Sequence, residues 1–359
     1  MIYQSKPKMN ISRLTSIIMI AAAVAAALSC KKEDDEAVVL PSLEGAMEFY
    51  APEFIEPGQT LTMIPRGVEH PEDKGVGIYW KITPAMTAND TTRLENGLSP
   101  DGEETDGSLT YTFPDSLAVY TVACYAFADG YTGLSSSRYV TTVKPGLDGS
   151  LTDTGILASD KHITVDGQDY YYTKIGSLDW FRNNIGVTRG GAPYGGAEIM
   201  SNVFGRFYNY EDALTACPDG WRLPTEDDWL SLGTALESTS DRYGVIKGVS
   251  ARLMADAKFN GVTMWDYWPE VGTITNDSKF SAIPAGYVNL GKMNEAGEYP
   301  EAISSGVYEY AAFWTADPVD GNSSMAYYRF IVDNQPDLFI SKGDRQNFGA
   351  SVRCVRDAQ

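Results

Sequence analysis

Ala216-Cys217-Pro218-Asp219-Gly220-Trp221-Arg222-Leu223-Pro224-Thr225-Glu226-Asp227-Asp228-Trp229 is the stretch from which the larger part of the chain is read. Before it, Glu211 to Ala216 reads as a short helix that runs into Cys217. After it, Thr225 is a good N-cap, with three acidic residues in the first turn where the helix dipole favours them. Asp228 stands three residues after Thr225, the spacing of a capping box. Trp229, Leu232 and Leu236 recur at i, i+3 and i+7 and give that helix one apolar face. Upstream, Asp166 to Tyr170 is a turn into a strand that continues through Gly176. Downstream come Phe280 to Tyr287, Ala312-Phe313-Trp314-Thr315, Ala326 to Phe330 and Gly349 to Asp357.

Residues 44–145 read differently. Gly58 to Ile64 and Ser108 to Phe113 alternate polar and apolar, as half-buried strands do. Gly77 to Ile82, Tyr120 to Phe127 and Arg138 to Val143 are further short strands, with an Asp129-Gly130 turn between the last two. Several short strands in about 100 residues predict a β-sandwich. The Val119 to Gly130 run followed by a Val-rich strand resembles immunoglobulin-like or PKD-like modules, in which a Trp such as Trp80 is core. Cys124 has no second Cys in this region and reads as a small buried apolar residue. Breaker-rich residues 146–155 read as a linker, and the second folded region opens at Ile156.

Residues 1–29 have the form of a signal peptide. Lys6, Lys8 and Arg13 form a basic start, and Leu14 to Leu28 an uncharged apolar stretch too short for a membrane span. Small residues then lead into Cys30, which resembles a bacterial lipobox. The resemblance implies that Cys30 carries the lipid, palmitate included, and becomes the new N-terminus. Residues 30–43 read as an acidic tether whose Lys31 to Glu36 run resembles the export signal of Bacteroidetes-type surface lipoproteins. The expected location is the outer membrane, lipid-anchored and facing outward.

The net charge of −20 is spread over both folded regions, and the leader masks three further units of it. With no basic face, nucleic acid is not an expected partner. Two histidines, His70 and His162, are few for a His-activated nucleophile or a His-rich metal site.

The blocks Ala216 to Leu223, Phe280 to Tyr287, Phe313-Trp314-Thr315 with Tyr327-Tyr328-Arg329, and Ser351 to Asp357 resemble the Fibrobacter succinogenes major paralogous domain. The resemblance covers nearly all of 163–357 and assigns residues 156–359 to it. That family occurs in bacterial surface and secreted proteins. The domain is also similar to the wider C-type lectin-like fold, which implies an α+β architecture. There a helical Cys pairs with one in the last strand, so the resemblance implies a Cys217–Cys354 disulfide. Gly220 to Glu226 and Gly349 to Cys354 resemble the sulfatase-modifying branch of that fold as well. Its oxidases use two cysteines before the final strands, and Trp314 to Phe348 contains none. An enzyme of that type is therefore not expected, nor is any cofactor.

Recognition or adhesion is the expected role. Ser240 to Lys279 lies where the fold's ligand loops would be and contains Met264-Trp265-Asp266-Tyr267-Trp268. Trp265, Tyr267 and Trp268 could stack on sugar rings while Asp266 accepts hydroxyl bonds, or anchor a surface protein. The same rings could instead fill the core beneath the loop. Asp256, Asp266, Glu270, Asn276 and Asp277 could offer oxygens to calcium, but their spacing fits no calcium loop, and the Asn-Asp pair after the strand Trp is absent at Thr315-Ala316. Trp180, Trp221, Trp229 and Trp314 read as core, and Arg222, Arg329 and Arg353 as internal ion-pair partners. A structural component of a surface assembly is the alternative role.

Overall fold

A computed structural model describes residues 39–84, 92–95, 106–152, 155–186, 190–265 and 272–358, with backbone alone at 92–95. Among these the protein is predominantly β-strand with little helix, a mixed β/α architecture. It forms two compact units that divide between Thr142 and Val143.

In the first unit, β1 (Gly77–Pro84), β2 (Val119–Phe127) and β3 (Leu134–Thr142) are antiparallel neighbours in the order β1-β2-β3. Phe54–Ile55 adds to β3 in parallel and Thr92–Glu95 to β1 antiparallel, completing a five-stranded sheet. Two two-stranded ribbons, Glu44–Glu48 with Arg66–Glu69 and Thr60–Met63 with Leu109–Thr112, contribute Met47, Met63 and Leu109 to the same core as Trp80, Val122 and Val140. Trp80 is fully buried and donates its indole N–H to the Gly107 carbonyl, at 2.8 Å. Cys124 is buried beside it and free, and burial pushes its thiol up to about 12, which keeps it neutral. Gly77 sits opposite Phe127, and a Cβ there would stand 2.4 Å from the ring, so glycine is what lets that ring lie across the strand.

The second unit closes on itself. β4 (His162–Val165), β5 (Gln168–Ile175) and β6 (Leu178–Phe181) form a meander, and the last strand of the chain, Val355–Asp357, pairs antiparallel with β6. On its other side that strand bridges Arg222, with reciprocal backbone bonds of 2.9 Å to Val355. Leu151–Thr152, read as linker, is instead a strand: it pairs with Lys258–Phe259. Its apolar Leu, set before the breaker run ends, had a partner more than 100 residues away that composition does not register.

Helix α1 (Tyr210–Thr215) starts one residue before the expected position because Asn209, not Tyr210, is its cap: the Asn209 Oδ1 accepts from Asp212 N–H at 2.8 Å. Helix α2 (Glu226–Ala235) has Thr225 as N-cap and both arms of the capping box to Asp228. Trp229, Leu232 and Leu236 are buried, as their spacing predicts. The Cys217–Cys354 disulfide ties the end of α1 to the residue before the last strand, with Cα atoms 5.7 Å apart and a sequence separation of 137. A loop of that length is stabilised by roughly 4–5 kcal/mol in the chain-entropy picture.

Trp180, Trp221, Trp229 and Trp314 are all buried. The arginines divide. Arg222 pairs with Asp228 at a half-exposed surface, and Arg329, fully buried, pairs with Glu226 at 2.5 Å. Arg353 corrects the expectation of an ion pair. It is fully buried and has no carboxylate among its partners. Its Nε donates to Asn184 Oδ1 (2.7 Å), Nη1 to the carbonyls of Phe181 (3.0 Å) and Phe280 (2.7 Å), and Nη2 to that of Ser281 (2.9 Å). Its plane lies over Phe280, 4.7 Å from the centroid. A planar fork can gather carbonyls from two chain segments at once, which a carboxylate-directed pair would prevent.

Arg353→Met leaves three buried carbonyls without donors and should lower the unfolding free energy in urea by about 3 kcal/mol or more. Arg222→Met, at a surface pair, should change it by less than about 1 kcal/mol. Mass spectrometry of the non-reduced protein should find Cys217 and Cys354 joined and Cys124 alkylated only after unfolding.

Candidate functional site

The predicted loop platform divides on inspection. Trp265 is 1% exposed, and its indole N–H donates to the Ala282 carbonyl at 3.0 Å. It is a core residue in the cluster of Trp180, Trp229 and Phe280, which corrects its assignment to a ligand face. The polar end of an indole is satisfied as readily by a backbone carbonyl as by a ligand. Asp266, Tyr267 and Trp268 lie outside the described residues. Of the candidate calcium oxygens, Asp277 accepts two bonds from Arg252, and Asn276 caps the turn to Ser281, with Ser281 N–H donating to its Oδ1 at 2.9 Å. Asp256 is exposed, and Glu270 is outside the described residues. No group of three potential metal ligands occurs among the described residues.

A different aromatic surface is built on regular structure. β7 (Tyr310–Pro318), β8 (Met325–Val332) and β9 (Phe339–Asp344) form a three-stranded antiparallel sheet. The register pairs Ala312 with Phe330, Trp314 with Tyr328 and Phe330 with Phe339, so one face carries Tyr310, Tyr328, Phe330 and Phe339. Beside this sheet stand Tyr287 and Phe348, from the small sheet of Ile303–Ser305, Tyr287–Asn289 and Phe348–Gly349.

Five of these rings close into a circle. Tyr310 stacks on Phe330 (centroids 5.0 Å apart, planes at 15°), and Phe330 meets Tyr328 at 5.7 Å. Tyr328 meets Phe348 at 4.5 Å, Phe348 meets Tyr287 at 5.6 Å, and Tyr287 returns to Tyr310 at 5.4 Å. Phe339 extends the stack beyond Phe330 at 5.2 Å. All six rings are partly exposed. The hydroxyls of Tyr310 and Tyr328 lie 3.5 Å apart across the circle, and burial raises the Tyr310 phenol well above its usual range, so it stays a neutral donor. Fully buried Trp314 flanks the circle on the same face of the sheet, edge-on to Phe348 at 5.4 Å, with its indole N–H donating to the Tyr208 carbonyl at 2.7 Å. The arrangement offers π faces for apolar sugar or side-chain surfaces and phenol groups for hydrogen bonds, held by strands rather than a loop.

Sequence reasoning quoted Tyr327-Tyr328-Arg329 only as a family block. The period-2 spacing of Tyr328 and Phe330 signals a shared face, but joining Tyr287, Tyr310 and Phe348 to it requires pairings that cross up to about 60 residues.

The opposite side of the sheet holds the Arg329–Glu226 pair, which links β8 to the first turn of α2. Burial raises the Glu226 pKa, with the Arg329 charge opposing it. A carboxyl raised on folding contributes stability below its unfolded pKa and loses it as pH climbs through the folded one.

A β-rich two-unit protein with a disulfide-closed second unit and a strand-borne aromatic face is the class these observations define. The chain belongs to the Fibrobacter succinogenes major domain family, whose pattern matches residues 173–356. No curated protein sequence matches it. Among solved structures, two forms of the superoxide reductase (neelaredoxin) from Ignicoccus hospitalis are similar, at 12% and 11% identity and TM-scores of 0.21 and 0.20. Each alignment covers 27% of this chain and 80% of the reductase, and likenesses of this size carry no argument about function.

Glu226→Gln should gain stability relative to the wild type as pH rises from about 4 to about 7, because it removes a carboxyl that folding makes harder to ionise. Thermal melts of both proteins across that range check the sign.

Proposed function

We propose that this protein is a lipid-anchored, outward-facing protein of the bacterial outer membrane that recognises a glycan or a surface protein and catalyses nothing. The observation that carries the reading is the closed circle of partly exposed rings at Tyr287, Tyr310, Tyr328, Phe330 and Phe348. Aromatic rings fixed on a sheet bind planar apolar surfaces with little ordering cost, and they anchor both sugar and protein interfaces.

Within this reading residues 30–43 are a tether, the first unit is an immunoglobulin- or PKD-like spacer, and the second is a C-type lectin-like head. Support for the spacer comes from its five-stranded sheet sharing one core with two ribbons. Support for the head comes from the pairing of its early and last strands and from the disulfide between α1 and the end of the chain. Membership in a family of surface and secreted proteins agrees with export. The lipid anchor rests on the run into Cys30. A non-catalytic role is supported by the absence of Cys between Trp314 and Phe348 and by the buried, neutral Cys124.

Incubating cells with an azide-tagged fatty acid should label the wild-type chain and not Cys30→Ser. For the head, a glycan array and a pull-down from intact cell surfaces should give ligands whose binding falls at least tenfold in a Tyr328→Ala, Phe339→Ala double variant that still melts cooperatively. Unchanged binding in that variant would remove the aromatic circle as the site, and capture of proteins without array hits would favour the structural-assembly role.

A further inference from the structure

The sheet that carries the aromatic circle ends in an open edge. On the β7 side the sheet is continued: Phe313 bridges Ser351, and Trp314 N–H donates to the Ser351 carbonyl at 3.1 Å. β9 has a strand, β8, on one side only. On its other side Leu338, the residue before β9, exchanges backbone bonds with Ile246, at 2.9 and 3.0 Å. Backbone groups alternate direction along an antiparallel strand, so Ile340, Lys342 and Asp344 turn theirs the same way as Leu338, away from β8. The hairpin closed by Ser240 and Ile246 pairs with the edge at Leu338 and no further. Among the described residues no hydrogen bond reaches the outward N–H or carbonyl of Ile340, Lys342 or Asp344.

Open edges are ordinarily blunted by a proline, a bulge or a charge that projects across them. β9 has an unbroken register with β8 from Phe339 to Asp344 and contains no proline. Its one cation, Lys342, stands directly opposite Tyr327 and lays its ammonium over that ring, 5.6 Å from the centroid. The charge therefore leans back onto β8 and leaves the edge clear. Lys342 is exposed, and among the described residues no carboxylate pairs with it. The two faces beside the edge differ. Phe339 and Ser341 lie on the side of the aromatic circle, and Ile340 and Lys342 on the other. Phe339 is the ring nearest the edge, partly exposed and 5.2 Å from Phe330.

We infer that β9 accepts an extended polypeptide segment as a fourth, antiparallel strand, with apolar side chains on the side of Phe339 and a carboxylate opposite Lys342. A row of N–H and C=O groups at strand spacing is matched by another peptide backbone, and a sugar carries no such repeat. On the circle's side, alternate side chains of the added strand stand about 5 Å from Phe339 and Ser341, within reach of the ring. On the other side an anionic residue complements the exposed, unpaired Lys342. The inference rests on the proposed recognition role of the aromatic circle and names its partner as a protein segment, not a glycan.

The probe is a fluorescent heptapeptide, capped at both ends, of valine, lysine, valine, glutamate, valine, threonine and valine in that order. Paired antiparallel with its glutamate opposite Lys342, it should bind the full folded chain saturably in fluorescence anisotropy below about 1 mM. Backbone N-methylation at the lysine, glutamate and threonine removes the N–H groups that face β9 and should weaken binding at least about tenfold. N-methylation at the valines spares those groups and should leave binding as it was. Lys342→Pro removes an outward N–H without touching the β8 ladder, so it should still melt cooperatively and weaken the peptide by the same factor. Lys342→Ala keeps that N–H and should weaken the peptide by about fivefold at most. The comparison of methylated peptides needs no variant and decides the point even if Lys342→Pro does not fold. The inference is overturned by the absence of saturable binding, or by binding that methylation at the lysine, glutamate and threonine leaves intact. A concentration-dependent dimer that Lys342→Pro abolishes overturns it too, by giving the edge to a second copy. The Tyr328→Ala, Phe339→Ala variant separates this inference from the reading beneath it. Array glycans lost in that variant but kept by Lys342→Pro retain the circle and overturn the added strand. Peptide held by that variant as tightly as by the wild type retains the added strand and removes the circle.

Discussion

A single guanidinium with no carboxylate partner organises the second unit. Arg353 draws together the carbonyl of Phe181 at the end of β6, the side chain of Asn184 just beyond it, and the carbonyls of Phe280 and Ser281 from a turn some 100 residues further on. Three of the four acceptors are backbone carbonyls, one at the end of β6 and two in the irregular turn at Phe280–Ser281. Buried carbonyls need donors, and one planar fork supplies them to two segments simultaneously. The flanking residues of Arg353 extend the same junction. The Val352 carbonyl oxygen accepts from Ile185 N–H, Cys354 makes the disulfide, and Val355 bridges Arg222. The C-terminal six or so residues are therefore the keystone around which the long middle of the unit is laid.

Stability and the proposed recognition use different parts of this framework. The arginine junction, the disulfide and the Trp180–Trp229–Phe280 cluster hold the interior. The sheet β7–β8–β9 is shared: its inner face carries Phe313, Arg329 and Ile331 into the core, while its outer face carries the aromatic circle. Because residues alternate sides along a strand, the register that buries Arg329 also fixes where Tyr328 and Phe330 point.

Much of this was written locally in the sequence. The capping box at Thr225 and Asp228, the apolar stripe of α2 and the alternation at Gly58 to Ile64 and Ser108 to Phe113 are short-range patterns, and each element forms where its pattern lies. The Cys217–Cys354 pairing followed from a family resemblance and not from the residues themselves. What stayed hidden depends on partners far along the chain. Leu151–Thr152 looks like linker until Phe259 is beside it, and Trp265 looks like an exposed anchor until Ala282 offers its carbonyl. Arg353 suggested an ion pair because burial of a charge usually brings one, whereas here the partners are carbonyls that sequence cannot reveal.

The disulfide has a consequence for the chain as a polymer. All five rings of the aromatic circle lie between Cys217 and Cys354, as do α2 and the Phe280–Ser281 turn. A protease that cuts any one peptide bond in that interval produces two pieces still joined through sulfur. The nicked molecule keeps its aromatic strands covalently attached to the N-terminal part of the chain, so a single cleavage wounds the protein without shedding either piece.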